Sequence, residues 1–128
     1  MDRSHAQDLG RRAERAAERE LRRRGYAIVA RNVRIAGGEI DLVALDGDTV
    51  CFVEVRARSS ENVGSPLESV GSTKQRQLTK LARSFLRRRG LANTPARFDV
   101  VAVETDDRGE LQVTVLADAF PARGPYAR

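Results

Sequence analysis

Apolar positions recur at two different periods along this chain, and the switches between them lay out its elements. Leu9, Ala13, Ala16, Ala17 and Leu21 fall at helical intervals, which predicts a helix from Ser4 to Arg24, stopped by Gly25. Ser4 and Gln7 have capping-box spacing at its start. From Tyr26 to Ile35 the pattern becomes that of a strand, with Asn32 marking a bulge and Ala36-Gly37-Gly38 a turn. Gly37 to Arg58 reads as two apolar strands joined by Asp46-Gly47-Asp48. A Ser-, Gly- and Pro-rich loop follows, from Ser59 to about Gly71, with a short helical turn expected over Pro66 to Val70. Ser72 and Gln75 form a second capping-box candidate. Behind them Leu78, Leu81, Ala82, Phe85 and Leu86 give the cleanest helical stripe in the chain, ending near Arg89-Gly90. Arg97 to Val103 is an apolar run expected to be a central strand, and Leu111 to Leu116 alternates like an outer one. Ala117 to Phe120 is expected to add a helical turn, and the polar tail from Pro121 to fray. Helix, three strands, helix, two strands predicts a single α/β domain over residues 1–120 with a mixed sheet, and a flexible tail over 121–128.

The central hairpin breaks its own pattern twice. Asp41 interrupts Ile-Asp-Leu-Val and Glu54 interrupts Phe-Val-Glu-Val-Arg. An ionised carboxylate on a buried strand is costly unless it is paired or binds a metal. Strict alternation puts Glu39, Asp41, Val43 and Leu45 on one face of the first strand, against Ile40, Leu42 and Ala44. On the second strand Val50, Phe52, Glu54, Arg56 and Arg58 share a face. A four-residue loop, Asp46 to Thr49, pairs Leu45 with Val50, Val43 with Phe52 and Asp41 with Glu54; a three-residue loop would separate the acids. The four-residue register is the expected one. Opposed carboxylates repel, and a divalent cation removes the conflict. Arg56 and Arg58 on the same face would then meet the phosphate that the cation polarises. The alternative is that Asp41 and Glu54 form structural ion pairs with Arg56, Arg58 or Arg31. On the first helix, wheel position allows Glu14 or Glu20 to face the core and does not choose between them.

Composition narrows the chemistry. The net charge of +5 and a pI near 10.3 favour a polyanionic partner, nucleic acid before membrane. One cysteine, Cys51, excludes an internal disulfide and any multi-cysteine zinc site, and its apolar setting marks it as a small core residue. One histidine, His5, leaves no Ser-His-Asp triad and no multi-histidine metal site. What remains is oxygen-ligand chemistry with Mg²⁺ or Mn²⁺. With no apolar stretch long enough to span a bilayer and no signal-peptide pattern, a cytoplasmic location is expected. Much of the positive charge lies on helices, where a solvated face with pairs such as Glu18–Arg22 explains it. Lys74 is the exception: a cation in a helix's first turn opposes the dipole, and with the helix N-terminus it makes a phosphate site.

Glu39-Ile40-Asp41-Leu42 followed by Phe52-Val53-Glu54-Val55-Arg56 resembles the PD-(D/E)XK nuclease superfamily. More narrowly the chain resembles the YraN-like family of small bacterial endonuclease-like proteins, related to Holliday-junction resolvases. Gly10, Glu14, Ala17, Leu21 and Gly25 match that family's first helix. Gly64, Pro66, Val70, Lys74, Leu78 and Ala82 match its loop and second helix, and Arg97, Phe98, Asp99 and Val100 match a later strand. The resemblance implies a restriction-endonuclease-like αβββαβ core, a central mixed sheet flanked by helices. It implies Asp41 and Glu54 as metal ligands, the Val55 carbonyl as a further one, and Glu14 rather than Glu20 as the third acid; Glu39 is peripheral. It also implies an Mg²⁺- or Mn²⁺-dependent endonuclease of DNA more than RNA, acting on branched structures, and by analogy a homodimer. One departure stands out. Arg56 occupies the position where the superfamily usually has a lysine, and arginine cannot give up its proton. Arg56, Arg58 and Lys74 are therefore expected to hold phosphate. Two alternatives to hydrolysis stay open: a non-catalytic nucleic-acid-binding module of the same fold, or an adaptor whose basic helices meet acidic proteins.

Overall fold

The computed structural model describes residues 3–35, 37–58 and 70–122, with side chains from residue 8 onward. The order is α1 (Arg3–Arg23), β1 (Ala27–Ile35), β2 (Gly38–Asp46), β3 (Thr49–Arg58), α2 (Ser72–Arg88), β4 (Ala96–Thr105) and β5 (Leu111–Phe120). The five strands form one sheet in sequence order, with β3 and β4 parallel and the other neighbours antiparallel. A parallel pair cannot be joined by a hairpin, so α2 lies in the crossover between β3 and β4. The result is the expected α/β architecture, consistent with a restriction-endonuclease-like core.

Each helix covers one face. Ala13, Ala16, Ala17 and Leu21 of α1 pack on Leu42, Ala44, Cys51, Val53, Val101 and Val103. Leu78, Leu81, Ala82, Phe85 and Leu86 of α2 pack on Ile40, Val43, Val50, Phe52, Phe98 and Val100. Both helices end in a Schellman arrangement. Gly25 (φ +92) lets Tyr26 N–H donate to the Leu21 carbonyl at 3.0 Å, and Gly90 (φ +69) lets Leu91 N–H donate to Leu86 at 2.7 Å.

Four local expectations change. Ser72 does not cap α2: the N-cap is extended Gly71, with no side-chain cap bond. Ser72 is already the first helical residue, and Gln75 instead reaches back to the Val70 carbonyl at 2.6 Å. Ala117–Phe120 is strand, not helical turn. Buried Asp99 accepts the Asp118 N–H at 2.9 Å, Asp118 takes φ +53, and the strand resumes so that Phe120 stacks on Phe98 at 4.8 Å. The register shift in β1 falls between Ile28 and Ala30, while Asn32 adopts φ +49. Finally, Ile40 packs with Val43 on the α2 face, so β2 does not alternate strictly. The helical turn expected over Pro66 to Val70 and the tail over 123–128 lie outside the described residues, apart from Val70 itself. α1 begins at Arg3, so Ser4 is already helical, and the side chains of Ser4 and Gln7 lie outside the described ones.

Candidate metal and phosphate site

The β2–β3 register is the four-residue one: Asp46 with Thr49, Leu45 with Val50, Val43 with Phe52 and Leu42 with Val53. The ladder then stops. Asp41 and Glu54, the next two residues, are not a ladder pair; the Asp41 Oδ2 instead accepts the Val55 N–H at 2.8 Å. A side chain thus satisfies a backbone donor that the departing strand leaves open. On the other side of β2, Arg31 pairs with Leu42 and Val33 with Ile40, so left-handed Asn32 lies opposite Asp41. Both strands change parity at this point, since Ala30 and Val33 pack on the α2 core just as Val43 and Ile40 do. The break in the pleat aims Asp41 along the sheet at β3, between the two covered faces.

Four further charges converge on Asp41. Burial pushes its carboxyl up, the Val55 hydrogen bond opposes that shift, Glu39 adds to it and Lys74 opposes it. Burial, then the charge of Asp41, pushes Glu54 up, with Lys74 and Arg56 opposing. Burial, then Asp41 and Glu39, pushes Glu14 up from the α1 side. Glu14 is therefore the helix acid that reaches the cluster, whereas Glu20 is taken by Arg23 at 2.6 Å and Arg24 at 2.9 Å. Arg31 is likewise committed elsewhere, to Glu18 at 2.8 Å, and Glu18 also holds Arg22 at 3.0 Å. The ion-pair alternative through Arg31 is not what this structure contains.

Lys74 approaches from the first turn of α2. Its Nζ lies 3.7 Å from Glu54 Oε1, with Lys74 46% and Glu54 19% exposed. Among the described residues, the Lys74 ammonium acts on the acid cluster from α2 and the Arg56 guanidinium from β3. The nearness of Lys74 to Glu54 is what the sequence concealed, because a crossover separates them. Arg58 continues the strand past Arg56, toward the end of β3.

The donor set is all oxygen: two half-buried carboxylates, the charge of Asp41 raising the proton affinity of Glu54, a third on the α1 side, and the backbone of Val55. That chemistry fits a hard cation, and Mg²⁺ needs only one or two protein carboxylates beside waters and phosphate. Among the described residues, no three of His, Cys, Asp and Glu stand close enough to enclose an ion by themselves. Asp41 and Glu54 are the pair that could hold one, with Glu14 on the α1 side.

A second polar network lies elsewhere. Asp99, fully buried, pairs with Arg97 at 3.0 Å, and Arg97 also donates to Tyr26 Oη at 2.6 Å and to Asp46 at 3.0 Å. These contacts tie β2, β4, β5 and the segment between α1 and β1 together. The neighbouring Cys51 thiol is buried and pushed up to about 12, chiefly by burial, which makes it a core residue.

No helix among the described residues is long and apolar enough to cross a membrane. The chain is 47% identical to a UPF0102 protein of Desulfosudis oleivorans over 116 residues, covering 91% of this chain and 92% of that one. It is 46% identical over 114 residues to one of Symbiobacterium thermophilum, covering 89% and 97%. A third, from Geotalea uraniireducens, is 44% identical over 119 residues, covering 93% and 94%. Residues 13–103, which carry Glu14, Asp41, Glu54, Arg56 and Lys74, match the family model, and the chain belongs to the uncharacterised protein family UPF0102.

Proposed function

We propose that this protein is a metal-dependent phosphodiesterase acting on nucleic acid, DNA more than RNA. The observation that carries the reading is the end of the β2–β3 ladder, where burial and then the charge of Asp41 raise the proton affinity of Glu54 and Lys74 stands 3.7 Å from Glu54. Two carboxylates in mutual conflict, with a lysine against one of them, are a poor structural solution and a good cation site.

In this reading Asp41 and Glu54 hold Mg²⁺ or Mn²⁺, with the Val55 carbonyl and Glu14 as further donors. The bound cation would polarise the phosphodiester and lower the pKa of the attacking water. Arg56 and Arg58 steady the phosphate from β3. Lys74 adds a donor from α2 that can hold the attacking water, whose proton leaves to bulk solvent or to the substrate phosphate. The basic composition supports a polyanionic substrate. Branched DNA and a homodimer come from the superfamily resemblance alone and form part of the proposal on that footing.

The test is cleavage of plasmid, single-stranded and four-way-junction DNA with Mg²⁺ or Mn²⁺. Asp41→Asn and Glu54→Gln should abolish it, and Lys74→Gln should lower it by about 10²-fold or more. Equal activity in the wild type and Asp41→Asn would sink the assignment. DNA binding that persists without cleavage, and without Mn²⁺ binding, would favour the non-catalytic module.

A further inference from the structure

α2 and the loop behind it carry charge of one sign only. No Asp or Glu occurs between Glu68 and Asp99, while α2 alone holds Lys74, Arg76, Lys80, Arg83, Arg87 and Arg88. The apolar stripe of the helix lies against the sheet. Arg76, Lys80, Arg83 and Arg87 follow one another at i, i+4, i+7 and i+11, so at about 100° per residue they fall within about 60° of the wheel and form a row. Arg76, Lys80 and Arg87 are exposed and Arg83 is half-buried. Lys74 lies about 120° or more from each of them, so the row and the acid cluster are on different sides of the helix.

Solvated ion pairs account for charge on α1 and not for this row. On α1, Arg22 is held by Glu18, and Arg23 and Arg24 by Glu20. Among the described residues, none of the four cations in the α2 row makes an ion pair, and Arg83 Nε has no acceptor. Like charges three and four residues apart on a helix repel. A partner with closely spaced negative charge removes that repulsion.

We infer that the row binds the phosphate backbone of a nucleic-acid duplex, away from the acid cluster. At 1.5 Å of rise per residue the row is about 16 Å long, a distance over which one strand of B-form DNA presents about five phosphates. A bilayer would need the apolar face of α2, which the core already holds. A protein partner takes aromatic or aliphatic anchors, whereas the residues beside the row are Thr73, Gln77 and Ser84, polar groups suited to phosphate oxygens. A single strand stacks its bases on exposed aromatic rings, and Phe52, Phe85, Phe98 and Phe120 are all buried. The duplex is what remains, gripped by its backbone without its bases being read. This surface rests on the nucleic-acid reading above and needs no hydrolysis.

The test is fluorescence anisotropy of a short labelled DNA duplex with the full-length protein in EDTA, from about 50 to 200 mM salt. Replacing exposed Arg76, Lys80 and Arg87 together by Gln should weaken binding about 10²-fold and lower the slope of log K against log salt by about 2–3. The charge-matched Arg22→Gln, Arg23→Gln, Arg24→Gln variant, on the other face of the sheet, should lose less than about threefold. The corresponding single strand should bind at least about tenfold more weakly than the duplex. Cleavage with Mn²⁺ is read separately: its absence would sink the hydrolysis reading, while binding in EDTA still judges the row. The row is overturned if the wild type does not bind duplex, if the single strand binds as tightly, if the α2 variant keeps the wild-type slope, if the α1 variant loses as much, or if an acidic peptide or phosphatidylserine vesicles bind more tightly than duplex.

Discussion

Asp41→Asn should make the metal-free protein more stable at neutral pH. Asparagine keeps the shape and still accepts the Val55 N–H, so what is removed is the charge. The charge is disfavoured first by burial and then by Glu39, with the Val55 hydrogen bond and Lys74 opposing. Relieving the burial of a part-exposed charge gains about 1–2 kcal/mol after solvent screening. Exchanging an ionised for a neutral acceptor at Val55 returns about 0.5–1 kcal/mol. A net gain of about 0.5–1 kcal/mol remains, or an increase in Tm of roughly 2–6 °C for a chain of this size. The pH dependence has a definite sign. Asp41, Glu54 and Glu14 all have raised values when folded, so the folded state binds more protons than the unfolded one. Their penalty is absent below the ordinary carboxylate values of 3.8 and 4.5 and grows as pH rises through the folded ones. The advantage of Asp41→Asn should therefore shrink toward zero by about pH 4. Millimolar Mg²⁺ or Mn²⁺ should raise the Tm of the wild type at pH 7 and leave the variant unmoved. Thermal unfolding followed by circular dichroism at both pH values reads all of this. A variant less stable than the wild type at pH 7 would mean that Asp41 is a structural ion-pair partner, and the reasoning would fail.

Other outcomes follow from the same contacts. Asp99→Ala leaves Arg97 without its buried partner and the Asp118 N–H without an acceptor, and should cost about 3–5 kcal/mol in chemical denaturation. Lys74→Gln removes a half-exposed pair, so stability should change by under about 1 kcal/mol; a large loss of stability would make Lys74 structural. Gly38→Val drives a branched side chain into Leu81 and Gln77, and should cost about 1–3 kcal/mol. Cys51 should resist iodoacetamide at pH 8 in the folded protein and react once denaturant is added.

The elements and their order were legible because hydrophobic period is a local signal. The β2–β3 register was legible too, since a one-residue slip would have turned Val43 and Phe52 out of the core. What was not legible was tertiary. Strict alternation placed Ile40 opposite Val43, and no local feature announces that Asn32 and Asp41 break the pleat together. The run Ala117–Phe120 has no strong strand pattern of its own; Asp99, on another strand, holds it in the sheet. Its place in a helix's first turn marks Lys74 as a phosphate contact, while its position against Glu54 depends on how the crossover returns. Glu14 and Glu20 were equivalent on the wheel until Arg23 and Arg24 took Glu20.

The irregularities in the outer strands bear on how copies of this chain can meet. A sheet open at both ends offers two rows of unpaired backbone groups to a second molecule. Here β1 carries a register shift after Ile28, a left-handed Asn32 and the exposed charges Arg31 and Arg34. At the far edge, β5 is turned by left-handed Asp118 where its partner strand shifts register. Each device interrupts the straight run of donors and acceptors that strand addition requires. Strand addition is disfavoured at these positions, while the regular run Leu111–Leu116 of β5 keeps an even row of backbone groups along the far edge.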